Sequence, residues 1–268
     1  MIWRNMRKYF VIAVLVAIVF CGCRNRAVES EPAAALPETL LYGMPGSYDI
    51  LLVRRGFSIG YSHEMRQAMW VSYMLTANNL KAKKVRRTNT FKPDPAIKFR
   101  PVRPKDYNRT GYDRGHLAPA ADMSYSVETM QHSFFMSNIS PQLPGCNRGI
   151  WKRLEKQVRQ WALKEEKLFI VTGPVFSNQK INMMKGSDIP VPDAFYKVVY
   201  DMTPPEKMIA FVVPNSSSRK WLASFVVPVD LVEKLTGNDF FSELDDKKEA
   251  LLEMNSDFQA WHGMKRKR

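Results

Sequence analysis

Six short stretches of the chain cluster or alternate apolar and β-branched residues and are cut off by Gly, Pro, Asn or Asp, the pattern of strands. DILLV (49–53), GFSIGYS (56–62) and MWVSYMLT (69–76) lie near the front, and KLFIVTGPVF (167–176), AFYKVVYD (194–201) and KMIAFVVP (207–214) follow later. One long segment has the other period. In NRGIWKRLEKQVRQWALKEEK (147–167), Trp151, Leu154, Val158 and Trp161 recur at three and four, which places them on one helix face as a core stripe. SVETMQHSFFMSN (126–138) and DLVEKLTG (230–237) are weaker helical patterns. Strands run together and helices do not alternate with them, so the fold class is α+β, with a largely antiparallel central sheet flanked by helices.

The ends of the chain differ from this body. Arg4, Arg7 and Lys8 precede the apolar run Tyr9 to Phe20, which is too short to span a bilayer and has the build of a secretory signal. The residues Phe20-Cys21-Gly22-Cys23 resemble a bacterial lipobox, with Phe20 and Cys21 departing from the commoner residues; by that resemblance Cys23 is the lipidated first residue of the mature chain. Ordinary secretion and an uncleaved anchor are the other readings. Residues 1–22 form the signal, 23–40 a polar Ala- and Pro-containing tether, 41–258 one domain, and 259–268 a basic tail. Cleavage before Cys23 leaves Cys146 alone in the body, so no intramolecular disulfide forms there.

Charge narrows the partners. Lys and Arg number 40 against 26 Asp and Glu, a formal charge of +14, and the signal accounts for only three of the basic residues. An excess of that size in the body favours polyanions or anionic membranes.

Candidate chemistry sits in TGYDRGHLAPAADM (110–123), whose Asp, Gly and Pro suit neither a regular helix nor a plain strand. His116 titrates near neutrality and can accept a proton from water. Arg114, two residues earlier, falls on the same side if the segment is extended, and offers a fork of donors to a phosphate oxygen. The competing reading is a structural turn in which Asp113 and Arg114 pair locally. Downstream, SNISPQLPGCNRGIWKRLE (137–155) supplies Asn138, Asn147 and Glu155 and no Cys/His zinc cluster, so an oxygen-seeking ion such as magnesium is the metal these residues suit. On an unbroken helix Glu155 lies about 12 Å from Asn147 along the axis, too far for both to ligate one ion directly.

YDRGHLAPAAD (112–122), SNISPQ, CNRGIWKRLE, VTGPVF and VPDAFYKVV together resemble the DNA/RNA non-specific endonucleases, the ββα-metal group that includes endonuclease G-like and Serratia-type nucleases, over about residues 41–240. The resemblance implies a ββα-metal motif and hydrolysis of DNA and RNA. It makes His116 the general base, Asn147 the direct protein ligand of Mg2+ (Mn2+ being an alternative), and Glu155 the holder of water on the ion. Arg114 and Asn138 would support the site and the scissile phosphate, and Arg87 and Arg159 would bind substrate, with Arg86 leaving the Arg87 assignment loose. Arg148 replaces a Gln of relatives and is expected to matter little. The family also admits a homodimer. Two other readings remain: a catalytically weak nucleic-acid-binding envelope lipoprotein, and a phosphodiesterase for small esters, which would not need the basic surface. Tyr107 and Tyr112 are expected to be structural rather than base-stacking.

Overall fold

The structure, a computed structural model, describes residues 36–82, 84–177 and 181–261. The signal segment and Cys23 therefore lie outside the described residues. The strands are β1 (Ile50–Arg54), β2 (Phe57–Ser62), β3 (Gln67–Thr76), β4 (Asp113–His116), β5 (Ile139–Gln142), β6 (Lys167–Val175), β7 (Ala194–Asp201), β8 (Lys207–Pro214) and β9 (Val226–Val227). The helices are α1 (Ala77–Lys81), α2 (Val127–Ser133), α3 (Lys152–Glu165), α4 (Val229–Thr236) and α5 (Asp246–Glu253).

All six apolar stretches become neighbouring strands of one seven-stranded sheet, ordered β1-β2-β3-β6-β7-β8-β9. Every pairing in it is antiparallel. Strand alternation sorts the two faces. On β7, Phe195 and Val199 join the core under α3, whereas Tyr196, Val198 and Tyr200 join a second core that includes Val229 and Val232 of α4. Because the central strands are buried on both faces, they read as nearly continuous apolar runs. The stripe Trp151, Leu154, Val158, Trp161 is at most 2% exposed, so α3 is held to the sheet along its whole length. Each such side chain contributes about 1.5–3 kcal/mol on burial.

Three boundaries differ from the sequence reading. The long helical pattern from 147 is broken: Cys146–Trp151 is a wide turn in which Gly149 has φ −105° and ψ −107°, and α3 begins only at Lys152. The tether was expected to reach residue 40, yet Glu38–Leu40 forms a 3-10 turn and Leu40 is fully buried. The sequence places the tail from residue 259, yet Trp261 is 1% exposed and packs tilted against Trp161, ring centroids 4.8 Å apart, because an indole gains more from that core than from water.

Candidate active site

The DRGH stretch is a strand after all. β4 pairs antiparallel with β5 in a separate two-stranded ribbon, His116 opposite Ile139 and Gly115 opposite Ser140. Ladder bonds overcome the poor strand propensity of Asp and Gly, and glycine is required for a local reason. A Cβ on Gly115 would collide with the Gln142 side chain. Extension puts Arg114 and His116 on one side, and Phe91 touches both: its ring centroid lies 5.4 Å from Arg114 Cζ and 5.4 Å from the His116 ring. Asp113 and Arg114 do not pair with each other. Arg114 Nη2 donates to the Pro104 carbonyl (2.7 Å) and to Asn108 Oδ1 (3.0 Å), so the guanidinium is braced by neutral acceptors and forms no ion pair among the described residues.

His116 is 8% exposed and packed between Phe91 and Phe134, and its Nε2 has no hydrogen-bond partner among the described residues. Burial, reinforced by the Arg87 cation, pushes its pKa down to about 3, so the imidazole is neutral at pH 7.

The turn at Gly149 carries Asn147 toward β4. Asn147 Nδ2 donates to Asp113 Oδ2 (2.8 Å), and Arg148 holds the same carboxylate with Nε at 2.8 Å and Nη2 at 2.5 Å. Burial of Asp113 would raise its pKa, but the bonds from Arg148 and Asn147 outweigh it and hold the carboxylate below its ordinary range. Arg148, expected to be incidental, is thus the charge partner of the strand that bears the histidine. On α3, burial and the neighbouring Asp122 push the Glu155 carboxyl up to about 7, against the opposing cations Lys197, Arg159 and Arg87.

These side chains meet. Arg87, Arg114, His116, Asn147, Glu155 and Arg159 line one cleft of about 290 Å³, with Arg148 and Lys152 at its wall. Since the helix does not run through Gly149, the axial separation of Asn147 and Glu155 reckoned on a straight helix does not apply. Arg87 lines the cleft and Arg86 does not, and the Arg87 guanidinium rests 5.1 Å over the Phe134 ring.

Asn138 is the exception among the expected residues. It is wholly buried, its Nδ2 donating to the carbonyls of Ala118 and Ser133 (2.9 Å each) and its Oδ1 accepting from Ala118 N (2.9 Å). With every polar atom of its amide engaged on backbone, it cannot support a phosphate directly. It clamps the chain just beyond His116 instead.

Two neighbours carry little signal as site residues in the sequence. Asp122 is 3% exposed and bound to Arg159 Nη1 (2.8 Å) and to the Tyr73 hydroxyl (3.1 Å). Lys197 projects from the middle of β7 into the α3 face, 1% exposed, with Nζ 5.0 Å from the Trp151 ring centroid and 5.8 Å from that of Tyr73. Burial lowers its pKa to about 8, opposed by Glu155 and Asp122, so it serves as counter-charge to the acidic floor of the cleft. A lysine in the centre of an otherwise apolar strand, FYKVV, was the one available signal. Tyr107 is 4% exposed and buried with Val102, Met136 and Ile139, with Tyr112 packed against that cluster, so both tyrosines are structural.

A two-stranded ribbon bearing the histidine, a turn bearing the asparagine and a helix bearing the glutamate follow one another in the chain. Residues 37–247 match the family of DNA/RNA non-specific endonucleases. The chain belongs to that family. It is 34% identical over 235 residues to a mitochondrial nuclease of Saccharomyces cerevisiae, covering 79% of this chain and 71% of that protein. It is 32% identical over 272 residues to a nuclease of Nostoc sp., covering 92% and 97% respectively, and 30% identical over 226 residues to bovine mitochondrial endonuclease G, covering 79% and 75%. Among solved structures it resembles a chain of the EndoG/EndoGI complex, a study of EndoG inhibition, with a TM-score of 0.72 and 30% identity over 78% of this chain and 92% of that one.

Proposed function

We propose that the chain is a metal-dependent endonuclease that hydrolyses phosphodiester bonds of DNA and RNA. The observation that carries this reading is the convergence of Arg87, Arg114, His116, Asn147, Glu155 and Arg159 on one open, cationic cleft. Asn147 Oδ1 is the oxygen that would hold Mg2+ or Mn2+ directly and Glu155 would hold water on the ion, which would neutralise charge developing on the phosphate and on the leaving oxygen.

The chain's own residues perform the rest. Arg114 and Arg87 bind the phosphodiester and orient it, their positions fixed by Phe91, Phe134 and the Pro104 carbonyl. His116 takes the proton of the attacking water as its oxygen bonds to phosphorus and one ester P–O bond breaks. The free imidazole is a weak base because it is buried and Arg87 lies beside it; a bound phosphate anion offsets that guanidinium and raises the basicity when substrate is present. Arg159, anchored by Asp122, sets the depth of the cleft beside Glu155.

Plasmid nicking with and without EDTA, in wild type and His116→Ala, tests the reading. Cleavage should depend on the metal and fall by about 10²–10⁴-fold in the variant. Cleavage that survives EDTA would exclude metal dependence, and full activity in a folded His116→Ala protein would exclude the base.

We further propose export and lipid attachment through Cys23, on the basic and apolar residues that precede it. No helix among the described residues is long and apolar enough to cross a membrane. Incorporation of labelled palmitate that is lost in Cys23→Ser is the check.

A further inference from the structure

Trp221 is 85% exposed, whereas Trp70, Trp151, Trp161 and Trp261, the other described tryptophans, are at most 2% exposed. The contrast is not the product of a loose loop. Leu222 packs against the core on the α3 side of the sheet and Phe225 is buried within it, and Ser224 N donates back to the Trp221 carbonyl (3.1 Å). The preceding residues are tied to the segment that carries the site. Asn215 Oδ1 accepts from Leu143 N (2.8 Å), and its Nδ2 donates to the Pro141 carbonyl (3.0 Å). Ser217 lies so close to Gly145 that a Cβ built there would stand 2.6 Å from the Ser217 Cβ. Arg153 Nη2, in the first turn of α3, donates to the Lys220 carbonyl (2.7 Å). The platform that exposes the indole is therefore fixed to the exit of β5 and the start of α3, the two elements between which Asn147 is held.

Its chemistry is also specific. Arg219 and Lys220 directly precede the indole, and no acidic residue occurs between Asn215 and Pro228. A lipid surface would call for neighbouring exposed apolar side chains, but serines and cations precede this tryptophan and the Leu222 that follows it packs against the core. A flat aromatic face preceded by cations, on a segment tied to the start of the helix that bears Glu155, has the means of holding unpaired bases without reading their identity.

We propose that Trp221 is a stacking platform for an unpaired base of the nucleic acid, with Arg219 and Lys220 meeting the phosphates beside it. The proposal rests on the nuclease reading and adds a contact beyond the scissile phosphate. It predicts that single strands gain more from this contact than duplexes, in which bases are already stacked.

The test uses the full chain in EDTA, which prevents cleavage, with a fluorescently labelled single-stranded oligonucleotide and its duplex. Anisotropy gives the Kd, and tryptophan emission, taken as the difference between wild type and Trp221→Phe, reports the indole itself. Saturating quenching should follow the anisotropy curve, and Trp221→Ala should raise the single-strand Kd about tenfold while changing the duplex Kd less. Because the side chain is exposed, folding is not at stake in either variant. Unchanged single-strand affinity in Trp221→Ala, or quenching by phosphatidylglycerol vesicles with none by the oligonucleotide, would overturn the proposal. Failure of the wild type to bind any nucleic acid would instead overturn the nuclease reading on which it stands.

Discussion

Asn147 gives its amide nitrogen to Asp113 at 2.8 Å, so the carboxamide is oriented by the strand that carries His116. This bond couples the two halves of the site, and it decides which end of the amide faces the cleft. Asp113→Ala should remove the orientation and raise the magnesium concentration needed for half-maximal cleavage by about 10- to 100-fold. Asp113→Asn, which keeps an acceptor oxygen, should cost much less. Equal metal requirements in the two variants would show that the bond does not orient the ligand.

The buried cation Lys197 opposes the upward shift of the Glu155 carboxyl. Glu155 has a pKa near 7 against an ordinary 4.5, and Lys197 is the largest of the influences holding it from going higher. Because the folded pKa is raised, Glu155 favours the folded state most at acid pH, and that contribution fades as pH rises from about 4.5 toward 7. Activity runs the other way, since the carboxylate must be ionised. The acid limb of kcat/KM should lie near pH 7 and move upward in Lys197→Met, while Lys197→Arg retains most of the wild-type profile. An unshifted limb in Lys197→Met would rule out the coupling.

The cleft arginines are not equivalent. Replacing Arg87 or Arg114 with Ala should make the salt dependence of duplex binding shallower, by about 0.9 log units per log of salt for each phosphate no longer engaged. A slope equal to that of wild type would show that the replaced guanidinium does not meet the backbone. Arg159 is paired with Asp122, which is 3% exposed. Removing its guanidinium leaves a buried carboxylate without its ion pair and with only the Tyr73 hydroxyl bonded to it, so Arg159→Ala should destabilise the fold by about 3 kcal/mol in denaturant unfolding. A variant as stable as wild type would show that Asp122 finds another partner.

Another carboxylate cluster lies on the opposite face of the sheet from α3. Asp230 and Glu233 of α4 and Glu253 of α5 place ligand oxygens within 4.8 Å of one another, and Glu253 Oε1 has no partner among the described residues. Burial, then Glu233 and Glu249, push the Glu253 pKa up to about 9. A carboxyl whose folded pKa is raised loses stabilising effect as pH climbs from its ordinary value to the raised one. Glu253→Gln should therefore raise the Tm at about pH 9 and change it little at about pH 5. The same shift at both pH values would mean that the cluster does not hold a proton.

Much of this molecule could be read from its residues. The six strands and the α3 stripe were legible because both sheet faces and one helix face are apolar, and period is all that such burial requires. Of the residues that line the cleft, Arg114, His116, Asn147 and Glu155 were legible in the DRGH motif and the segment that follows it, and Arg87 and Arg159 only through the family resemblance. The break at Gly149 was not, because an apolar periodicity that continues through Trp151 masks a backbone departure set by one glycine. Asn138 looks available to a phosphate because its amide is free in a sequence, whereas its three bonds come from backbone twenty and five residues away. Asp122 and Lys197 were not legible because a charge is recognised as buried only when its partners, on other elements, are in view.

The histidine strand belongs to a ribbon of two strands, β4 and β5, and not to the seven-stranded sheet. A two-stranded ribbon has little cooperativity of its own and depends on what packs around it. Catalytic competence and global unfolding should then be separate thermal events. On warming, amide protons of residues 113–116 and 139–142 should exchange with solvent by openings smaller than those that release β6 and β7. The enzyme should fall silent while its main sheet is still intact, and recover on cooling.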